Sequence, residues 1–340
     1  MITFFEDPSE NMDIEQLIGR RDRFLIIQEA QRRNYKSELL IKKRREESDL
    51  LYLRISKGEK TRWISPQRGY FNSKAACDLA LFKHLTYKVL KYDGLPVPRF
   101  EHIYKNSNLE KINYFPVVVK PVVGEKGEDV VVKINDMGDL RKVCDRLFQK
   151  YNYILVEEMV FGKDHRLLVL DGEVIAVLER RPPKVVGDGK RTILELIEKS
   201  NEGRKEEGDN ISPFLKTLKI DEEMKRYVND QRYKLTSVLP KDEVIYLRGN
   251  ANFTTGGEVE DVTDKVCEES KKMAVKAVES LGLEIGGVDI ITSDISAPLD
   301  KENGKIMEVN STPGLWIHHL PHYGKPRDPV GKILDYLFEN

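Results

Sequence analysis

Gly286-Gly287-Val288-Asp289-Ile290-Ile291, followed by Met307-Glu308-Val309-Asn310-Ser311-Thr312-Pro313-Gly314, decides how the rest of the chain is read. Two apolar runs, Val288 to Thr292 and Lys305 to Val309, read as strands around a turn that carries Gly, Pro and Asp. Glu308 and Asn310 are two apart, so a strand puts them on one face, within reach of Asp289 on a neighbouring strand. Burying three oxygen-bearing side chains among apolar strands is costly unless something pairs with them. Two carboxylates and an amide oxygen suit Mg²⁺, which keeps part of its water and binds phosphates as well.

Two stretches upstream fit the same chemistry. Val117-Val118-Val119-Lys120-Pro121 runs into Val122-Val123-Gly124-Glu125-Lys126-Gly127-Glu128. A lysine that ends a strand beside a glycine-bearing turn offers a cation and close backbone N–H groups to phosphate. Taken alone, the same residues also describe a hairpin turn with a lysine reaching to water. Leu155-Val156-Glu157-Glu158-Met159-Val160 ends a second apolar strand in acids, and Gly162, Asp164, His165 and Arg166 follow. A carboxylate there can hold an amine or a ribose hydroxyl, and exposed backbone can meet an adenine edge. Alone, it is equally a charged strand end.

The 340 residues predict two or three structural units. Net charge is −1, from 56 basic and 57 acidic residues, which argues against a nucleic-acid binder and against an acidic disordered chain. The densest basic run, Lys42-Lys43-Arg44-Arg45, has no interleaved aromatic residues and reads as a solvated helix end or turn. Cys77, Cys144 and Cys267 lie far apart, which fits a reducing cytoplasm rather than a disulfide scaffold. The acidic N-terminus does not read as a secretory signal, and no apolar run approaches about 18 residues, so no membrane span is expected.

Residues 1–72 read as a small α/β unit, with a helix over Asp22–Arg33, strands over Glu38–Lys42 and Asp49–Ile55, and a polar connection from Lys57 to Asn72. Residues 73–110 supply one helix, Ser73–Lys91, and an extended Leu95-Pro96-Val97-Pro98 leading into a strand. Residues 111–180 read as a small α+β lobe: strands Phe115–Pro121 and Val130–Ile134, helix Asp136–Lys150, strands Tyr153–Val160 and Arg166–Leu170, a hairpin turn at Asp171-Gly172, and a returning strand Val174–Leu178. Residues 181–340 begin as a polar, irregular stretch to about 250, with helices Thr192–Asn201 and Asp221–Asp230. They end with a helix over Asp264–Leu281, the two metal-candidate strands and a closing helix over Pro329–Phe338.

From about Ser73 to Asn340 these pieces, in this order, resemble the ATP-grasp superfamily. Two longer motifs narrow the resemblance: Arg181-Pro182-Pro183-Lys184-Val185-Val186-Gly187-Asp188-Gly189-Lys190 and Leu247-Arg248-Gly249-Asn250-Ala251-Asn252-Phe253-Thr254-Thr255-Gly256-Gly257. They are similar to the ATP-grasp domain of cyanophycin synthetases and to the glutathione-synthetase half of bifunctional bacterial glutathione enzymes. Pro321-His322-Tyr323-Gly324-Lys325 continues the likeness. The resemblance implies an α+β / α/β ATP-grasp fold holding ATP between two α+β lobes, 111–180 and 181–340, behind the short N-terminal unit.

It also implies roles. Lys83 and Lys120 match the phosphate-binding lysines; Gly124, Glu125, Lys126 and Gly127 match the loop that closes over the phosphates. Glu157, Glu158, Met159 and Val160 match the hinge that holds adenine, and Asp164 matches the ribose-binding acid. Asp289, Glu308 and Asn310 match the ligands of Mg²⁺, with two ions expected and Mn²⁺ able to substitute. D-Alanine–D-alanine ligases carry an arginine two residues before the metal aspartate. Gly287 stands there in this chain, so Arg248 becomes the candidate for stabilising the transition-state charge.

The implied reaction is ATP-dependent joining of a carboxylate to an amine through an acyl phosphate. The rivals are phosphoryl transfer without amide formation and a nucleotide-binding protein without catalysis. Retained metal ligands argue against the last. No Ser/His/Asp or Cys/His constellation competes, and the reaction needs no protein nucleophile. Amino acids or peptides are the implied substrates. Arg166, Arg180, Arg181 and Arg248 suit their carboxylates, and Asn250, Thr255, Gly256 and His318 are further pocket candidates. His318 and His319 are adjacent and would face opposite ways in an extended strand, which argues against a zinc pair. Only about 70 residues precede the resemblance and the chain ends soon after the closing helix, so a single-reaction cytoplasmic ligase is expected. The sequence does not fix its oligomeric state; the related ligases are often dimers or tetramers.

Overall fold

Local chemistry sets the helix starts. Ser73, Asp136, Thr192, Asp221 and Asp328 each cap a helix, their side-chain oxygens accepting a backbone N–H three residues on. At Thr192, Glu195 completes a capping box. The computed structural model describes residues 3–4, 21–42, 50–122, 129–205, 214–300 and 302–339. Their elements begin with β1 (Thr3–Phe4), α1 (Arg21–Arg32), β2 (Lys36–Lys42), β3 (Leu50–Lys57), β4 (Lys60–Ile64), α2 (Lys74–Leu81), α3 (Lys83–Tyr92) and β5 (Phe100–Tyr104). Next come β6 (Val117–Pro121), β7 (Val131–Ile134), α4 (Met137–Leu147), β8 (Tyr153–Glu158), β9 (Lys163–Leu170), β10 (Glu173–Arg181), β11 (Lys184–Val186), α5 (Ile193–Asn201) and α6 (Glu222–Asp230). The chain continues through β12 (Val244–Tyr246), β13 (Glu258–Asp261), α7 (Glu268–Ser280), β14 (Ile285–Thr292), β15 (Gly304–Asn310), α8 (Trp316–His319) and α9 (Pro329–Phe338).

The chain divides into two compact units: Met1–Val177 with Thr263–Trp316 and Asp328–Asn340, and Leu178–Val262 with Ile317–Arg327. The first unit contains a sheet ordered β1-β2-β3-β4, a sheet ordered β5-β8-β6-β7, and the neighbouring strands β10, β9, β14 and β15. The β5-β8-β6-β7 sheet is covered by α4, with Leu140, Cys144 and Leu147 buried among Val117, Val119, Ile154 and Val156. The amphipathic face of α4 supplies that layer. A larger cluster joins Ile26 and Ala30 of α1 and Leu53 and Ile55 of β3 to Leu168 of β9, Ile285 of β14, and Ile333 and Leu334 of α9. The N-terminal residues therefore share one core with the sheet that carries the metal candidates. Asp22 strengthens this link by accepting from the Leu315 and Trp316 amides at 2.9 and 2.7 Å. Ile26, fully buried there, makes a test: Ile26→Ala is expected to cost about 2–5 kcal/mol in equilibrium denaturation.

In the second unit the Leu178–Arg181 end of β10 pairs antiparallel with β13, and β11 pairs with β12. Residues 181–250, read from composition as polar and irregular, enclose a core of their own. Ile193 and Ile197 of α5, Met224 and Val228 of α6, Leu239 and Leu247 are all buried together. Two short amphipathic helices supply it from few apolar residues, so the average composition hid it.

Two other expectations change. The connection Lys57–Asn72 contains β4, which pairs with β3 from Leu53↔Ile64 to Lys57↔Lys60. A two-residue turn with Gly58 at φ 58° makes this hairpin, and at the sheet edge it needs few apolar side chains. The single helix expected over Ser73–Lys91 is two, α2 and α3, broken at extended Phe82 (φ −96°, ψ 98°). The Thr86 hydroxyl donates to the Leu79 carbonyl at 3.0 Å, filling a backbone acceptor that the break leaves open. The break puts Lys83 on the first residue of α3, where the helix dipole favours anions. Lys43–Arg45 of the basic run lie outside the described residues.

Candidate active site

Antiparallel pairing of β14 with β15 sets Asp289 opposite Glu308 and Gly287 opposite Asn310. A register shift at Asp289/Ile290 bends β14 at that point, the kind of bulge that re-aims a side chain. On the other flank β14 pairs with β9, and Asp289 faces Arg166. The guanidinium of Arg166 donates from Nε to Asp289 Oδ1 at 2.7 Å and from Nη2 to Oδ2 at 2.8 Å. With its amide turned to satisfy both groups, Asn310 donates to Glu308 Oε1 and accepts from Arg166 Nη2, each at 3.1 Å. Lys83 Nζ lies 3.6 Å from Glu308 Oε1. Two carboxylates, one amide and two cations therefore converge on one patch of the first unit.

Gly287 is demanded by Pro313, whose Cβ an added Cβ would meet at 2.9 Å; Arg166 Cδ and Nε would stand at ordinary contact distances, 3.6 and 3.7 Å. Gly162 is also demanded by closeness: at φ 146° it sits against Thr292, whose carbonyl carbon a Cβ would meet at 2.5 Å. That brings the start of β9, including Asp164, onto the end of β14, where Asp164 pairs with Ile291.

The nucleotide candidates gather in the β5-β8-β6-β7 sheet. Lys120, at the end of β6, is buried and donates to Glu157 Oε1 at 2.6 Å. Glu157, on β8, is buried as well. Glu158 accepts from Arg99 Nε at 2.7 Å, and the Arg99 guanidinium covers the Tyr114 ring at 4.5 Å. The Glu158 amide donates to the Arg99 carbonyl and the Met159 amide to the Pro116 carbonyl, both at 2.9 Å. These bonds fix the hinge as it leaves β8 towards Val160. Tyr87 of α3 was not singled out in the sequence. It is fully buried, and its hydroxyl lies 2.9 Å from Glu157 Oε2 and 2.7 Å from the Met307 carbonyl. Only its place four residues after Lys83, one helical turn on, marked it. Gly124, Glu125, Lys126 and Gly127 lie outside the described residues.

Arg181, Arg248, Asn250, Thr255, Gly256 and His318 belong to the second unit. Arg248 is buried; Nη1 donates to Glu223 at 2.8 Å, and Nη2 to Asp221 at 2.6 Å and the Lys219 carbonyl at 3.1 Å. It anchors the start of α6. Arg181 donates to Glu179 at 2.7 Å and also pairs with Glu260. Asn250 accepts from the Thr255 hydroxyl at 3.1 Å, and Gly256, at φ 92°, ends the turn they form. His318 lies in the one-turn helix α8, not in a strand, and is buried.

A further histidine of this unit holds the same turn in place. His322 Nδ1 accepts from the Val259 amide at 2.9 Å, and Nε2 lies 2.8 Å from the Phe214 carbonyl, so the ring is neutral with its proton on Nε2. Phe253 stacks on it at 5.9 Å. Burial pushes its pKa below the ordinary 6.5, outweighing the pull of the Phe214 carbonyl and Glu258. The sign follows directly. A lowered folded value means the unfolded chain takes up the proton first. The stability due to the neutral ring is complete above 6.5 and is lost as pH falls through the folded value. Melting curves at stepped pH are expected to show His322→Asn with a shallower acid decline than the native protein, by at most about 1.4 kcal/mol per pH unit.

Among the described residues no three His, Cys, Asp or Glu side chains group as a metal cluster. The donor set fits Mg²⁺ nonetheless. Asp289, Glu308 and Asn310 are hard oxygen donors on one patch, and Mg²⁺ is commonly held by one or two carboxylates together with phosphates and water. No described helix is long and apolar enough to cross a membrane.

Lysines beside acids at the ends of two α+β layers, with an oxygen-donor pair on facing strands, define an ATP-grasp protein. The pattern of the RimK-like ATP-grasp domain matches residues 80–190 and 247–320, and the chain belongs to that family. Proteins of this fold that act as ligases use ATP and a divalent metal. The chain is 37% identical over 281 residues to cyanophycin synthetase of Trichormus variabilis, covering 82% of this chain and 31% of that protein. It is 30% identical over 297 residues to the glutathione biosynthesis bifunctional protein GshAB of Clostridium perfringens, covering 84% and 38%. A crystal structure of a bifunctional glutathione synthetase from Pasteurella multocida aligns with TM-score 0.63 and 27% identity, over 85% of this chain and 40% of that one. The chain thus spans about a third of the length of the curated relatives it matches. The family match omits 191–246, the stretch that holds α5, α6 and β12.

Proposed function

We propose that this chain joins a carboxylate to an amine at the expense of ATP, through an acyl phosphate, releasing ADP and phosphate. The observation that carries the reading is the convergence of Lys83, Arg166, Asp289, Glu308 and Asn310 on one patch, in a chain whose curated relatives are named as synthetases.

A carboxylate is a poor electrophile because its leaving group would be oxide; a phosphoryl group supplies a better one. Lys120 and Lys83 offset phosphate charge, and the backbone from Glu158 to Val160 meets adenine, with Glu157 fixing Lys120 from below. Asp164 takes the ribose hydroxyls. Asp289, Glu308 and Asn310 would hold Mg²⁺, as two ions in our reading, with Mn²⁺ able to replace it. The metal supplies Lewis-acid charge at the phosphates. Arg166 turns its fork toward the developing acyl-phosphate charge, in place of Arg248, whose guanidinium is already engaged by Glu223, Asp221 and the Lys219 carbonyl. Amino acids or peptides are the substrates, with Arg181, Asn250, Thr255, Gly256 and His318 in reserve for their recognition. Free thiols at Cys77, Cys144 and Cys267 support a reducing, cytoplasmic setting.

A phosphate-release screen of amino acids and dipeptides in pairs, with mass spectrometry of the products, tests this. Condensed product that depends on both partners is expected. ATP·Mg²⁺ binding with phosphate release that ignores every added amine would overturn amide formation and favour simple phosphoryl transfer.

A further inference from the structure

We propose that Tyr87 is a positioning residue that couples the nucleotide-holding pair Lys120–Glu157 to the metal-ligand strand β15. This rests on the reading of the site as an ATP·Mg²⁺ site. Tyr87 is fully buried on α3, one turn after Lys83. Its single hydroxyl proton faces two acceptors, the Met307 carbonyl at 2.7 Å and Glu157 Oε2 at 2.9 Å. Met307 directly precedes the metal-ligand candidate Glu308. The other oxygen of Glu157 accepts from Lys120 at 2.6 Å, and the Lys120 ammonium stands 5.7 Å from the centre of the Tyr87 ring. Phenol, carboxylate and ammonium thus form a closed triangle, and one corner of it grips β15.

The triangle has a consequence for ligand binding. When phosphate draws on Lys120, Glu157 loses part of its cation and leans on the phenol as its remaining donor. When Glu308 takes up a metal, β15 must hold still, and the Met307 carbonyl is where the phenol holds it. The same proton serves both needs, so nucleotide and metal each alter what the other finds. Phenylalanine at this position keeps the ring and the packing but removes the proton, leaving two buried acceptors without it.

Calorimetric titration of the native protein and of Tyr87→Phe with ADP·Mg²⁺, alongside melting curves, is the test. The dissociation constant is expected to rise about tenfold in Tyr87→Phe, and the effects of Tyr87→Phe and Glu157→Gln to be non-additive in the double variant. A purely structural tyrosine would lower the melting temperature and leave the dissociation constant unmoved. That result, or strict additivity, overturns the proposal while native binding upholds the site. Absent ADP·Mg²⁺ binding by the native protein takes down the site reading and the coupling with it. Should Tyr87→Phe fail to fold, Glu157→Gln takes its place: it keeps the phenol and changes the partner that Tyr87 and Lys120 share, and binding unchanged from native overturns the coupling.

Discussion

Glu308→Ala is expected to lose ATP turnover by at least on the order of 10²-fold while the protein stays folded. Glu308 is partly exposed, and its contacts are a 3.6 Å ion pair with Lys83 and a bond from the Asn310 amide. Neither bears on the core. Exposed or half-exposed pairs of this kind contribute little to stability, so the melting temperature should hardly move. The loss is expected in chemistry and in Mg²⁺ dependence, read as a higher Mg²⁺ concentration for half-maximal turnover. Native turnover in this variant would sink the metal assignment.

Arg166→Lys is the second large effect. The substitution keeps the charge but removes the planar fork that meets both oxygens of Asp289. Product formation is expected to fall on the order of 10²-fold. Arg248→Met provides the contrast. It removes a buried guanidinium and its bonds to Asp221, Glu223 and the Lys219 carbonyl. The cost is expected to be about 1–3 kcal/mol in denaturation, with kcat per folded molecule of the native order. The reverse pattern, a silent Arg166→Lys and a folded but inactive Arg248→Met, would return the catalytic role to Arg248.

The elements were legible because their signals are local. Alternation and caps in the sequence mark β6, β8, β14, β15, α4, α5, α6 and α9 to within a few residues. The metal candidates were legible for the same reason: a spacing of two on a strand fixes a shared face whatever else folds around it, and Asp289 does stand opposite Glu308. The motifs that carry the family resemblance are likewise contiguous.

What stayed hidden depends on contacts between residues far apart in the chain. The break at Phe82 cannot be read from helical spacing, since the apolar periodicity runs on through it while the Thr86 hydroxyl bonds the Leu79 carbonyl beside it. Residues 181–250 looked irregular because few apolar residues build their core. Tyr87 reads as one more apolar position until β8 and β15 bring Glu157 and the Met307 carbonyl to its hydroxyl.

The arginine question divides along the same line. The sequence by itself determined that position 287 is glycine, named Arg248 for the transition-state charge and offered Arg166 only for a substrate carboxylate. Our preference for Arg166 in that role rests on the folded sheet. Antiparallel pairing of β9 with β14 puts residues 123 apart in sequence face to face, so the Arg166 guanidinium meets both carboxylate oxygens of Asp289. The alternation within a strand fixes which face each side chain takes, but which distant strand lies alongside it is decided only when the sheet assembles.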